Sequence, residues 1–115
     1  MAVVLVADDE ESIRRLVCAI VTLAGHQCFA TANGLEAVAL FRSNRDSIDL
    51  VITDMMMPVM DGVEAIARIR ETKAGVPVIC MSGYSDKPMP PGVLPLHKPF
   101  AVPALLNLVK QVLKR

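Results

Sequence analysis

Residues 49–54 read Asp-Leu-Val-Ile-Thr-Asp. The apolar run is too short for a helix, rich in β-branched side chains and not alternating with polar ones. That pattern fits a strand buried on both faces, as in the middle of a parallel sheet. Residues 49–53 are read as that strand. Asp54 stands directly at its carboxyl end.

Working outward, residues 2–7 (AVVLVA) form a second run of the same kind, followed at once by Asp8-Asp9-Glu10-Glu11-Ser12. Residues 76–81 (VPVICM) form another, with Pro77 at its start and Ser82 at its end. Residues 28–31 make a weaker strand, and residues 93–97 a short one that ends just before Lys98. Helical periodicity fills the intervals. Ile13, Leu16, Val17, Ile20 and Leu23-Ala24 recur at helical spacing, and Gly25 closes the run. The acidic cluster before it sits where the helix dipole favours negative charge. Asn33 is an N-cap candidate before a helix carrying Ala37, Val38, Leu40 and Phe41 and ending near Ser43-Asn44. Val63, Ile66, Ala67, Ile69 and Arg70 mark a third helix, closed by Gly75. Ala104, Leu105, Leu108, Val109, Val112 and Leu113 mark an amphipathic final helix, with Lys110, Lys114 and Arg115 near its C-terminus.

The stretch 82–95 breaks the rhythm. It holds Pro88, Pro90, Pro91, Gly92 and Pro95, where a repeating α/β pattern calls for a fourth helix. Proline removes backbone donors and clashes with the preceding turn, so a loop or one irregular turn is expected there. Strands alternating with helices imply a parallel sheet with right-handed crossovers. One domain of 115 residues fits that count.

Composition excludes several roles. Lys+Arg and Asp+Glu are equal at 12 each, so no basic footprint for nucleic acid is present, nor a reason to seek an anionic membrane. No apolar run is long enough to span a bilayer, and the N-terminus lacks a basic leader. A cytoplasmic protein is therefore expected. Cys18, Cys28 and Cys80 lie scattered in apolar contexts without a C-x-x-C pair and are read as reduced core thiols. The last helix coincides with the end of the sequence, so no output domain is expected.

Ligands of open parallel sheets bind outside the carboxyl ends of the strands. Asp8 and Asp9, Asp54, Ser82 and Lys98 all stand at or just past such ends. Three carboxylates together repel one another and need positive charge. Lys98 is one source, and a hard, oxygen-bound Mg²⁺ is another. A carboxylate nucleophile, a metal, an ammonium and a hydroxyl are the parts of a phosphoryl-transfer site.

Residues 7–11 (ADDEE), 51–62 (VITDMMMPVMDG), 79–84 (ICMSGY) and 97–100 (HKPF) resemble, in order and over nearly the whole chain, the receiver domains of two-component response regulators. The resemblance implies a doubly wound, flavodoxin-like α/β fold of five parallel strands in the order 2-1-3-4-5, here with the fourth helix short or replaced by the Pro-rich loop. It implies that Asp54 takes a phosphoryl group from a phosphohistidine of a histidine kinase or a histidine phosphotransfer domain. Asp9 would hold Mg²⁺ directly and Asp8 mainly through water, with Asp54 and the backbone carbonyl of Met56 as further ligands. Lys98 would pair with Asp54 and then with the phosphoryl oxygens. Ser82 would move to bond the phosphoryl group. Pro99 would follow Lys98 through a cis peptide. Such a domain is a signalling phosphoacceptor, monomeric or weakly dimeric, that loses its phosphoryl group slowly. It occurs free-standing or appended to a hybrid kinase, and the SGYS and KPF motifs favour the latter.

The remaining notable residues have plainer readings. Met55, Met56, Met57 and Met60 are read as packing residues, Asp61 as a solvated loop carboxylate, and His26 and His97 as structural. Gly62 and Gly83 are read as serving backbone geometry. The family often has an aromatic three residues before the strand-five lysine, whereas Pro95 stands there. Tyr84 is a candidate substitute. Two rival functions remain. An aspartyl-phosphate phosphatase would need an acid where Met56 stands, and a non-phosphorylated binding module would not need the five polar residues together.

Overall fold

A computed structural model describes residues 1–83 and 88–113. The elements run β1 (Val3–Ala7), α1 (Glu11–Leu23), β2 (Gln27–Thr31), α2 (Gly34–Ser43), β3 (Leu50–Asp54), α3 (Gly62–Thr72), β4 (Val78–Ser82), β5 (Leu94–His97) and α4 (Val102–Val112). The five strands are all parallel, in the order β2-β1-β3-β4-β5. The sheet is the one expected from the alternating pattern. Among the described residues no helix lies between β4 and β5, so the proline-dense stretch does what its chemistry dictates. Tyr84 lies outside the described residues.

Side-chain alternation along the strands builds two cores. On one face Val4, Val6, Leu50, Ile52, Ile79, Met81 and Leu96 pack against Val17, Ile20 and Val21 of α1 and Leu105 and Val109 of α4. On the other, Leu5, Ala7, Val51, Val78 and Cys80 pack against Ala37, Val38 and Phe41 of α2 and Ala65, Ile66 and Ile69 of α3. Every residue of β3 and β4 is buried. This explains why their sequences are uninterrupted apolar runs rather than alternating ones.

Local signals set the helix ends. The Asn33 side chain accepts from the Glu36 amide at 2.9 Å, and Glu36 reaches back to the Ala32 amide at 3.0 Å. Asp61 accepts from the Glu64 amide at 2.9 Å and caps α3. The reading of Asp61 as a merely solvated carboxylate is thereby corrected. Gly25, at φ +93, supplies the left-handed turn after α1 that other residues adopt only with strain. His26 is structural as expected, its Nδ1 accepting from the Ala2 amide at 3.0 Å. Pro95 sits on β5, which among the described residues pairs only with β4, the edge position where a strand tolerates proline.

The cysteine reading needs a larger correction. Cys18 of α1 and Cys28 of β2 form a disulfide, and only Cys80 is free. Helix α1 folds back beside the edge strand β2 and brings the two positions to a Cα–Cα distance of 5.8 Å, which spacing along the chain does not reveal. Closing a loop of ten residues restricts the unfolded chain. Reduction is expected to lower stability by about 2.5 kcal/mol on the chain-entropy estimate. Urea midpoints measured with and without reductant would show it, and coincident midpoints would refute it.

Candidate functional site

The carboxyl ends of β1, β3, β4 and β5 form one edge of the sheet. Backbone bonds beyond the strands hold their terminal residues in place. Asp8 donates its amide to the Thr31 carbonyl at 3.1 Å, and Met55 to the Met81 carbonyl at 3.0 Å. The Lys98 amide reaches the Ser82 carbonyl at 2.7 Å, and the Thr53 hydroxyl the Asp54 carbonyl at 3.0 Å. The Lys98–Pro99 peptide is cis, as the resemblance implied. Asp8 continues the alternation of Val4 and Val6, and Asp54 that of Leu50 and Ile52, so both carboxylates belong to the α1/α4 face.

Lys98 joins them. Its Nζ donates to Asp8 Oδ2 at 2.8 Å and to Asp54 Oδ2 at 2.9 Å. These are short, charge-assisted bonds among groups largely withdrawn from water. Asp8 is 0% exposed and Asp54 7%. Oxygens of Asp8, Asp9 and Asp54 all lie within 4.8 Å of one another. Asp9 is the exposed member of this group. The cluster is a hard, all-oxygen donor set, which fits Mg²⁺ rather than a thiophilic metal. The Met56 amide lies 3.4 Å from Asp54 Oδ1, and Met56 is 53% exposed, which corrects its reading as a packing residue. Met55 is buried, while Met57 packs partly buried against the core.

Charge balance follows from this geometry. Burial pushes the Asp8 carboxyl above its ordinary value, and the bonds to Lys98 and to the Glu10 amide offset that only in part. Burial would lower Lys98, but its bonds to Asp8 and then Asp54 prevail and hold the ammonium above its usual value. The partners differ because Lys98 has two carboxylates, whereas Asp8 shares one ammonium and faces a second negative charge. Burial, aided by the Asp54 charge, pushes the Cys80 thiol up to about 11, so that thiol stays protonated and inert.

Asp8, Asp9, Asp54 and Lys98 thus meet as the sequence predicts. Ser82, 7% exposed, ends β4 one position beyond Met81, the register partner of Asp54. His97, read as structural, is the register partner of Ser82, with Nδ1 3.5 Å from the Ser82 hydroxyl. The available signal was positional, since His97 immediately precedes Lys98 at a strand end.

Between β3 and α3 the chain makes a tight turn. Val59 takes φ +70, and the Met60 amide bonds the Pro58 carbonyl at 2.8 Å, a γ-turn that is costly for a β-branched residue. The turn returns Met60 to the core and lets the Gly62 amide bond the Met55 carbonyl at 2.9 Å.

An open parallel sheet with acidic strand ends bridged by a lysine defines a receiver-type phosphoacceptor scaffold. Residues 4–110 match the family model of the response regulator receiver domain, and the chain belongs to that family. It is 34% identical to the sporulation initiation phosphotransferase F of Bacillus subtilis, covering 96% of this chain and 92% of that protein. It is 30% identical to the sensor kinase CckA of Brucella abortus over 99% of this chain, but spans only 13% of that kinase. It superposes with a TM-score of 0.84, at 31% identity, on a chain of a crystal structure of histidine kinase ThkA in complex with response regulator protein TrrA, covering 99% of this chain and 100% of that one. Receiver domains serve two-component signalling as partners of histidine kinases rather than as enzymes in the ordinary sense. No helix among the described residues is long and apolar enough to cross a membrane.

Proposed function

We propose that residues 1–115 form a cytoplasmic phosphoacceptor domain in which Asp54 receives a phosphoryl group from a phosphohistidine of a histidine kinase or phosphotransfer domain. The observation that carries this reading is the Lys98 ammonium held between Asp8 and Asp54 at 2.8 and 2.9 Å. A buried cation shared by two carboxylates is ready to follow charge from the nucleophile to the group it receives.

In the reaction, an Asp54 carboxylate oxygen attacks phosphorus. The P–O bond forms as the P–N bond to the donor imidazole breaks, and the electron pair leaves with the imidazole. Lys98 already donates to Asp54 and meets the transferred oxygens without a large movement. Ser82, at the neighbouring strand end, supplies a hydroxyl donor to the same oxygens. Asp8, Asp9, Asp54 and the carbonyl of Met56 are the residues to hold Mg²⁺, which when bound supplies positive charge to the transferring oxygens. Hydrolysis later attaches a water oxygen to phosphorus and returns the Asp54 carboxylate with inorganic phosphate. The Pro-rich stretch between β4 and β5 gives this domain a different outward surface beside the site. The similarity to one segment of a sensor kinase supports placement within a hybrid kinase.

Intact mass measured after incubation with a small phosphodonor tests the reading. The expected result is a gain of one phosphoryl group that needs Mg²⁺, is prevented by a chelator and is absent in Asp54→Asn. Turnover of a phosphoester without a stable adduct would instead indicate a phosphatase. An unchanged mass would indicate a binding module.

A further inference from the structure

Ser82 and His97 are register partners on adjacent parallel strands. Alternation places both on the α2/α3 side, opposite the face that continues to Asp8 and Asp54. Among the described residues the only side-chain partner of the Ser82 hydroxyl is His97 Nδ1, at 3.5 Å. The serine is almost wholly buried, whereas the histidine is exposed. At 3.5 Å the contact is longer than an ordinary hydrogen bond, so it is readily exchanged for a better partner.

We propose that His97 is a positioning residue for Ser82, whose protonation state decides whether the serine hydroxyl hydrogen is available to a phosphoryl group on Asp54. This rests on the reading of Asp54 as phosphoacceptor. Neutral imidazole with its proton on Nε2 accepts the hydroxyl hydrogen at Nδ1 and holds the hydroxyl toward β5. Protonated imidazole has only donors. It then donates from Nδ1 to the serine oxygen, and the hydroxyl hydrogen turns to the phosphoryl oxygens.

Other titratable groups near β5 do not perform this role. Cys80 on β4 stays protonated. Lys110, the one titratable group of α4, lies in that helix's last turn. Arg70 of α3 reaches toward Gly92, at the other end of β5. Asp61 caps α3, and Lys98 is engaged by Asp8 and Asp54. None of these is a hydrogen-bonding or ion-pair partner of His97.

The test uses beryllofluoride, a stable mimic of the phosphoryl group, with Mg²⁺ and the whole chain. Its dissociation constant is measured from acidic to mildly alkaline pH for the wild type, His97→Ala and His97→Asn. Drift from the carboxylates is common to all three and cancels in the ratio to His97→Ala. The wild type is expected to lose about two- to tenfold in relative affinity as His97 gives up its proton with rising pH, the equivalent of one hydrogen bond. His97→Asn, which cannot change charge, is expected to hold a constant ratio. By reciprocity, the mimic should raise the pKa of His97 followed by NMR of its ring protons, and less so in Ser82→Ala. A wild-type ratio that does not change with pH overturns the role of His97 and leaves the phosphoacceptor reading intact. A wild type that binds no beryllofluoride overturns both.

Discussion

Lys98→Met is expected to slow phosphoryl transfer to Asp54 by about a hundredfold or more, the usual consequence of losing one preorganised donor to developing charge. Among the described residues, Lys98 is the only cation paired with Asp8 or Asp54. Methionine keeps an unbranched apolar stem, one atom shorter, but leaves two carboxylates facing each other, one of them at 0% exposure. Breaking a buried pair from one side costs about 3 kcal/mol or somewhat more. The pH dependence has a definite sign. In the wild type the raised Lys98 value means that its contribution is complete at neutral pH and is lost only as pH rises through that alkaline value. The raised Asp8 value works the other way. Ionised Asp8 subtracts stability above the ordinary carboxylate range and stops doing so as pH falls through its folded value. Without the ammonium, a proton on Asp8 takes over part of its role. The deficit of Lys98→Met should therefore be largest near neutral pH and shrink toward pH 5. Urea midpoints across that range, beside the rate of mass gain from a small phosphodonor, measure both effects. Transfer at the wild-type rate, or a deficit independent of pH, would remove Lys98 from the role assigned to it.

Much of this arrangement was legible because burial and chemistry act on the same short stretches. Residues 50–52 are apolar on both sides of the chain since helices cover both faces, and the run stops where the sheet edge meets solvent. An acidic or basic residue at that boundary is conspicuous, and Asp8, Asp54 and Lys98 are conspicuous in this way. The proline density after Ser82 was readable for a local reason, because repeated prolines remove donors and clash with the preceding turn of a helix interior. Strand ends were less certain. Val76 and Pro77 precede β4 rather than belonging to it, since proline cannot donate to a central ladder. What escaped the reading depends on partners distant in the chain. Cys18 and Cys28 look like separate core thiols until α1 is laid beside β2. Asp61 reads as a loop carboxylate until α3 starts immediately after it. His97 acquires a partner only once β5 is set against β4 in a register that puts Ser82 opposite it.

The same dependence on close packing makes Gly62 the residue whose smallest change should do the most damage. Gly62→Ala is expected to destabilise the chain by about 3 kcal/mol and to weaken binding of a phosphoryl mimic together with Mg²⁺. An added Cβ at this position would collide with the Asp54 carbonyl oxygen and lie 2.9 Å from the Met55 Cα. Both are backbone atoms of the strand end that presents the acceptor, so no side-chain rotation relieves the overlap. Either the start of α3 moves away, breaking the 2.9 Å bond from the Gly62 amide to the Met55 carbonyl, or Asp54 shifts from beneath Lys98. Overpacking of a close-packed interior typically costs about 1–3 kcal/mol, and the upper end applies where both surfaces are main chain. Gly75→Ala is the matched control, because nothing lies within 4 Å of a Cβ built there. Its midpoint should stay within about 0.5 kcal/mol of the wild type or rise, since alanine also restricts the unfolded chain. Equal midpoints for Gly62→Ala and Gly75→Ala would show that α3 and β3 do not meet as closely as described, and that Asp54 is not held in place from below by this contact.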